Sequence, residues 1–134
     1  VLLSDGATVR LVQNNDVQQF TPHIGIKEFE ERKGRGAFII DARLAADYQN
    51  GHIPDAVNLP VDSDDAFRTK SLNGIDHGRE IVVYCESLGC PFSDQVTYWL
   101  LANGFTNVYV YSGGWMDWSA SHPQSLAKGA VTAG

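Results

Sequence analysis

Ile81-Val82-Val83-Tyr84-Cys85-Glu86-Ser87-Leu88-Gly89-Cys90-Pro91-Phe92-Ser93 runs from four consecutive apolar and aromatic residues straight into a cysteine. A short unbroken run of this kind suits a strand buried on both faces of a parallel sheet, where crossover helices cover both sides. Val96, Trp99, Leu100 and Phe105 then follow at helical spacing, and Gly104 offers a left-handed stop. The stretch therefore reads as strand, cysteine loop, helix. Ligands approach a parallel sheet at the carboxyl ends of its strands, where Cys85 stands.

The same alternation extends in both directions. Upstream, Ala37 to Asp41 is a second near-continuous apolar run that ends in Asp41-Ala42-Arg43. Before it, Ile26 and Phe29 lie in a Glu- and Lys-rich segment closed by Gly34 and Gly36, which predicts a short amphipathic helix. Between the two strands come a helical stretch around Leu44 to Tyr48, the turn Gly51-His52-Ile53-Pro54, and a brief strand at Ala56 to Leu59 stopped by Pro60. Ser63 is placed to cap a helix through Lys70, with Asp64 and Asp65 favouring its positive end. Downstream, Val108 to Tyr111 predicts a third parallel strand, and Gly113-Gly114 leads into a helix bearing Trp115 and Trp118. Strands separated by helical stretches predict an α/β fold, an open parallel sheet flanked by helices on both faces. The expected organisation is an N-terminal extension over 1–22, with at most a strand at Val9 to Val12, a domain over 23–122 and a C-terminal tail over 123–134.

Composition bounds the function. At 134 residues and 43% hydrophobic, the chain is sized for one core. A formal charge of −6 argues against nucleic acid, whose binders cluster Lys and Arg to release counterions. No apolar run approaches the roughly 18 to 20 residues needed to span a bilayer. The start at Val1 reads as a processed or truncated end, which leaves cytoplasmic and exported (periplasmic) locations both open, and a monomer is assumed. Cys85 and Cys90 are too few for a disulfide framework, and His23, His52, His77 and His122 stand at no recognised zinc spacing relative to them, so neither a metal nor a cofactor is expected.

Three separated motifs, Ile39-Ile40-Asp41-Ala42-Arg43, Gly51-His52-Ile53-Pro54-Asp55-Ala56 and Ser112-Gly113-Gly114-Trp115 with Trp118, together resemble the rhodanese family in order and spacing, with a strand-borne cysteine between the second and third. The resemblance spans Ile24 to Trp118 and implies a sulfurtransferase. Cys85 would hold sulfane sulfur as a persulfide between a small sulfur donor and a thiol, protein or cyanide acceptor. The loop Glu86, Ser87, Leu88, Gly89, Cys90, Pro91 and Phe92 would bind substrate, with Leu88 and Phe92 as an apolar rim. Gly113, Gly114 and Ser112 would lie beside it, Asp41 and Arg43 would brace it as a buried ion pair, and His52 would pack in its turn. A free thiol is only roughly 3% thiolate at pH 7, so a nucleophile here needs local positive potential, which loop amides and the next helix dipole supply.

Thiosulfate-active members usually carry Arg or Lys in this loop, often five residues after the cysteine, where this chain has Cys90. With Glu86 and no basic side chain from Cys85 to Ser93, weak thiosulfate activity is expected. The related phosphatases and arsenate reductases need a loop arginine to clamp a tetrahedral anion, and charge excludes them. The stretch from Cys85 to Gly104 is about two residues longer than the common pattern, so either the loop is longer or Pro91 opens the helix early. Cys90 reads as a candidate resolving thiol for Cys85, or as a buried helix-start residue or half of a structural disulfide. A thiol/disulfide redox or sensor domain and a catalytically silent binding module are the alternatives to sulfur transfer.

Overall fold

A computed structural model describes residues 21–124 and 127–128. The candidate strand at Val9 to Val12 lies outside them. Among the described residues are five strands, β1 (His23–Ile24), β2 (Phe38–Asp41), β3 (Val57–Asn58), β4 (Ile81–Tyr84) and β5 (Val108–Tyr111). The helices are α1 (Ile26–Gly34), α2 (Ala45–Asn50), α3 (Asp65–Ser71), α4 (Phe92–Ala102) and α5 (Gly114–Ser121). All strand pairs are parallel in the order β1-β5-β4-β2-β3, so β4 lies at the centre, with Val83 opposite Ile40 on one side and Val110 on the other.

Alternation along the strands divides the core between two faces. Ile40, Ile81, Val83 and Cys85 pack with Leu72, Val96, Leu100 and Phe105 under α3 and α4. Ile39, Val82, Tyr84 and Tyr111 pack with Phe29, Tyr48 and Trp118 under α1, α2 and α5. Every residue of β4 is fully buried, which accounts for its unbroken apolar run. On the second face, Phe29 stacks on Tyr111 at 4.4 Å and meets Trp118 edge-on at 5.5 Å.

Several local expectations are corrected. The α3 cap is Asp64, whose Oδ1 accepts from the Phe67 amide at 2.8 Å. Ser63 instead donates to the Pro60 carbonyl and accepts from Arg68, which is buried and ties that loop to α3. The brief strand shrinks to Val57–Asn58, because Leu59 and Val61 turn their amides to Asp41 and Ala42 at the end of β2. Edge strand β1 is an addition to the expected elements, since two residues carry no periodicity to read. Three of the histidines have defined packing: His23 lies on β1, His77 packs against Phe105 at 4.6 Å, and His122 stacks on Trp118 and pairs with Glu30 at 2.7 Å. Within the segment read as a tail, Ala127 exchanges both backbone hydrogen bonds with His52.

Candidate active site

The site is built where β4 stops. Cys85 continues the β4 face that points towards α4, and it is 2% exposed. Residues 85–91 form the connecting loop, which turns through Gly89 at φ +83° with the Cys90 amide donating to the Ser87 carbonyl at 3.1 Å. Pro91 is the N-cap of α4 and Phe92 its first residue, so the extra length lies in the loop, not in an early helix start. Cys90 therefore precedes the helix. It is partly exposed and joined to Cys85 by a disulfide with a Cα–Cα distance of 6.4 Å, inside the range a bridge permits.

The Cys85 sulfur lies 3.3 Å from Ser93 Oγ and 3.4 Å from the Cys90 carbonyl oxygen. These neighbours act in opposite senses once the disulfide opens. The carbonyl accepts only from a protonated thiol, whereas the Ser93 hydroxyl can donate to a thiolate, aided by the dipole of α4. Ser93 is buried in the first turn of α4. It was not singled out from sequence, although a hydroxyl two residues after the proline that caps a helix is the available signal.

Beneath the loop, Arg43 and Asp41 are both buried, at 3% and 0% exposure. Arg43 Nη2 donates to Asp41 Oδ2 at 2.8 Å and to the Gly51 carbonyl at 2.6 Å, while Nη1 donates to Glu86 Oε1 at 3.3 Å. Burial works against the guanidinium charge, but hydrogen bonding to Asp41 and the nearby negative groups outweigh it and hold its pKa above the ordinary value. A cation thus reaches the loop from the end of β2, matched by Asp41 and Glu86. Tyr84 donates to Asp41 Oδ2 at 2.7 Å and accepts from the Ile53 amide, linking this pair to the Gly51–Pro54 turn. His52 is buried, stacked on Tyr48 at 3.7 Å, with Nδ1 on the Tyr48 carbonyl at 2.9 Å. It faces its own turn, not the sulfurs.

The start of α5 closes the site. Trp115 and Met116 amides donate to the Cys85 and Glu86 carbonyls at 2.9 and 2.8 Å. Gly114 sits at φ +63°, and a Cβ there would lie 2.5 Å from the Cys85 carbonyl oxygen, so only glycine fits. A cavity of about 350 Å³ opens beside the disulfide, lined by His23, Ser87 to Pro91, Ser93, Asp94, Val110 and Ser112. His23 Nε2 lies 3.2 Å from Asp94 Oδ1 at its edge. Phe92 packs instead against the core under α4, so of the two residues read as an apolar rim only Leu88, 76% exposed, projects outward. Among the described residues no cluster of three metal-ligating side chains occurs.

The fold is a parallel α/β domain with a cysteine at the carboxyl end of its central strand and a helix N-terminus beyond the cysteine loop. The Rhodanese-like domain profile matches residues 26–121, and the chain belongs to that family. A thiosulfate sulfurtransferase GlpE from Pseudomonas savastanoi pv. phaseolicola is 33% identical over 95 residues, covering 71% of this chain and 84% of that protein. A tRNA uridine(34) hydroxylase from Buchnera aphidicola is 28% identical over 118 residues, covering 84% of this chain but only 36% of the relative. Among solved structures, the BH2092 protein of Bacillus halodurans aligns over 85% of this chain and 82% of its own, with a TM-score of 0.67 at 19% identity, a likeness of fold. No helix among the described residues is long and apolar enough to cross a membrane.

Proposed function

We propose that this domain is a sulfurtransferase that carries sulfane sulfur on Cys85 and delivers it to a thiol acceptor, with Cys90 as resolving thiol. The observation that supports this most is the position of the Cys85 sulfur at the end of β4, 3.3 Å from the Ser93 hydroxyl in the first turn of α4. Reduced Cys85 attacks the outer sulfur of a persulfide or thiosulfonate donor and becomes Cys85–S–SH as the donor leaves as thiolate or sulfinate. An acceptor thiolate then takes the outer sulfur and regenerates Cys85. When no acceptor arrives, Cys90 thiolate attacks Cys85 Sγ, hydrosulfide leaves, and the disulfide forms.

The sulfurtransferase name of the relative supports the reaction class, while the hydroxylase name of another relative marks the breadth of the family. Thiosulfate is a poor donor in this reading. The cavity lining includes Asp94 and no lysine or arginine, so a dianion meets no matching cationic side chain. The Cys85–Cys90 disulfide favours a second reading, a thiol/disulfide redox or sensor domain.

Steady-state release of sulfide from a low-molecular-weight persulfide, with excess dithiothreitol as acceptor, separates the two. Under sulfur transfer, Cys85→Ser abolishes turnover while Cys90→Ser retains it. Equal loss in both variants, with reversible disulfide exchange in the parent, favours the redox reading.

A further inference from the structure

The described chain exposes four large hydrophobic side chains, Leu44, Phe67, Leu88 and Met116, at 40%, 48%, 76% and 56%. Three surround the cysteine loop. Leu88 is at its tip, Met116 donates its amide to the Glu86 carbonyl, and Leu44 follows Arg43, which reaches Glu86 from below. Phe67, in the first turn of α3, stands at the same carboxyl end of the sheet. Exposed large apolar groups gathered round one mouth mark a contact surface more than a solvated one.

Charge indicates what the surface meets. The same end carries Asp47, Asp62, Asp64, Asp65, Glu86 and Asp117, all exposed or partly exposed. Of the described cations there, Arg43 is buried against Asp41, Arg68 is buried beside Asp62, Asp64 and Asp65, and Lys27 stands exposed at the start of α1. Lys33 and Arg35 finish α1 and Lys70 lies near the end of α3, at the opposite end of the sheet. A negative rim around an apolar centre complements a basic surface with an apolar centre and repels small anions. In the disulfide Cys85 is buried and Cys90 partly exposed, so an incoming thiol meets Cys90 first.

We propose that this face docks a partner protein whose reactive cysteine is flanked by basic residues, and that this thiol opens the Cys85–Cys90 disulfide. The partner thiolate attacks Cys90 Sγ, forming a mixed disulfide and releasing Cys85 as thiolate beside Ser93. A second thiol then attacks the partner's sulfur, which leaves the partner oxidised and Cys90 reduced. This rests on the sulfur-carrier reading, since it frees the nucleophile that reading requires.

The test uses the oxidised full chain and two synthetic peptides that share a Cys-Leu centre and differ only in Lys or Glu flanks. Rates of disulfide opening are measured by alkylation trapping and mass spectrometry, each divided by that peptide's rate with hydroxyethyl disulfide to remove intrinsic thiol reactivity. The expected result is an advantage of about tenfold for the Lys-flanked peptide at low salt, collapsing near about 0.5 M salt. The advantage shrinks in Asp47→Asn/Asp62→Asn, and both peptide rates drop in Met116→Ser, with dithiothreitol rates unchanged throughout. Equal normalised rates at low salt, with dithiothreitol opening the disulfide normally, would overturn the docking face alone. Failure of dithiothreitol to release two alkylatable thiols would overturn both it and the chemistry beneath it.

Discussion

Ser93 lies within hydrogen-bond reach of the Cys85 sulfur. Its hydroxyl is buried 3.3 Å from the sulfur, where it can donate to the anion, while the Cys90 carbonyl at 3.4 Å opposes ionisation. In a Cys90→Ser background, which leaves Cys85 free, Ser93→Ala is expected to slow iodoacetamide alkylation of Cys85 at neutral pH by about threefold to tenfold, the worth of one hydrogen bond. An unchanged alkylation rate would remove Ser93 from the site. The placement of Cys85 directly after a buried strand was legible in the sequence, because a short unbroken apolar run predicts a strand covered on both faces. The positions of Ser93 and His23 beside it were not, since they arise from a helix turn and an edge strand brought against a loop distant in pattern.

Elements meet at two points under that loop, and each carries a prediction. Arg43 joins the end of β2 to the Gly51 turn and to Glu86, and Tyr84 of β4 closes the same set on Asp41. Arg43→Met leaves the Asp41 carboxylate buried at 0% exposure without its cation, and chemical denaturation should show a loss of about 3 to 5 kcal/mol. A loss below about 1 kcal/mol would mean that water reaches the pair. Gly114→Ala forces a Cβ to within 2.5 Å of the Cys85 carbonyl at a positive φ, so the start of α5 must shift. A cost of about 2 kcal/mol or more in denaturation midpoint is expected, together with slower sulfur loading. The order of elements was readable from alternating apolar runs and helical spacing. Their ends were less so: the choice between Ser63 and Asp64 depended on Arg68 claiming the serine hydroxyl, a contact that no local pattern encodes.

At the scale of the whole molecule, the two-faced sheet buries phenols as well as hydrocarbon. Burial first, and the field of Asp41 second, push Tyr48 up to about 12, and the same two causes hold Tyr84 well above its ordinary value of 10.0. Tyr111 is raised by burial and by its hydrogen bond to Asp117. A phenol whose folded pKa exceeds its unfolded one contributes stability that is whole below pH about 10 and is lost as pH rises through the folded value. Alkaline titration should therefore show these three tyrosines ionising together with loss of near-ultraviolet circular dichroism. Full phenolate absorbance near pH 10 with dichroism intact would refute the packing described.

The architecture places one cysteine at the centre of the sheet and another five residues along its loop, and sulfur transfer would give them unequal roles. Peptide mapping by mass spectrometry, after the reduced chain is exposed to a persulfide donor without acceptor and trapped at once, tests this directly. A gain of about 32 Da on Cys85 is expected, appearing before the disulfide and persisting in Cys90→Ser. Sulfur found on Cys90 alone, or on neither residue in Cys90→Ser, would contradict it.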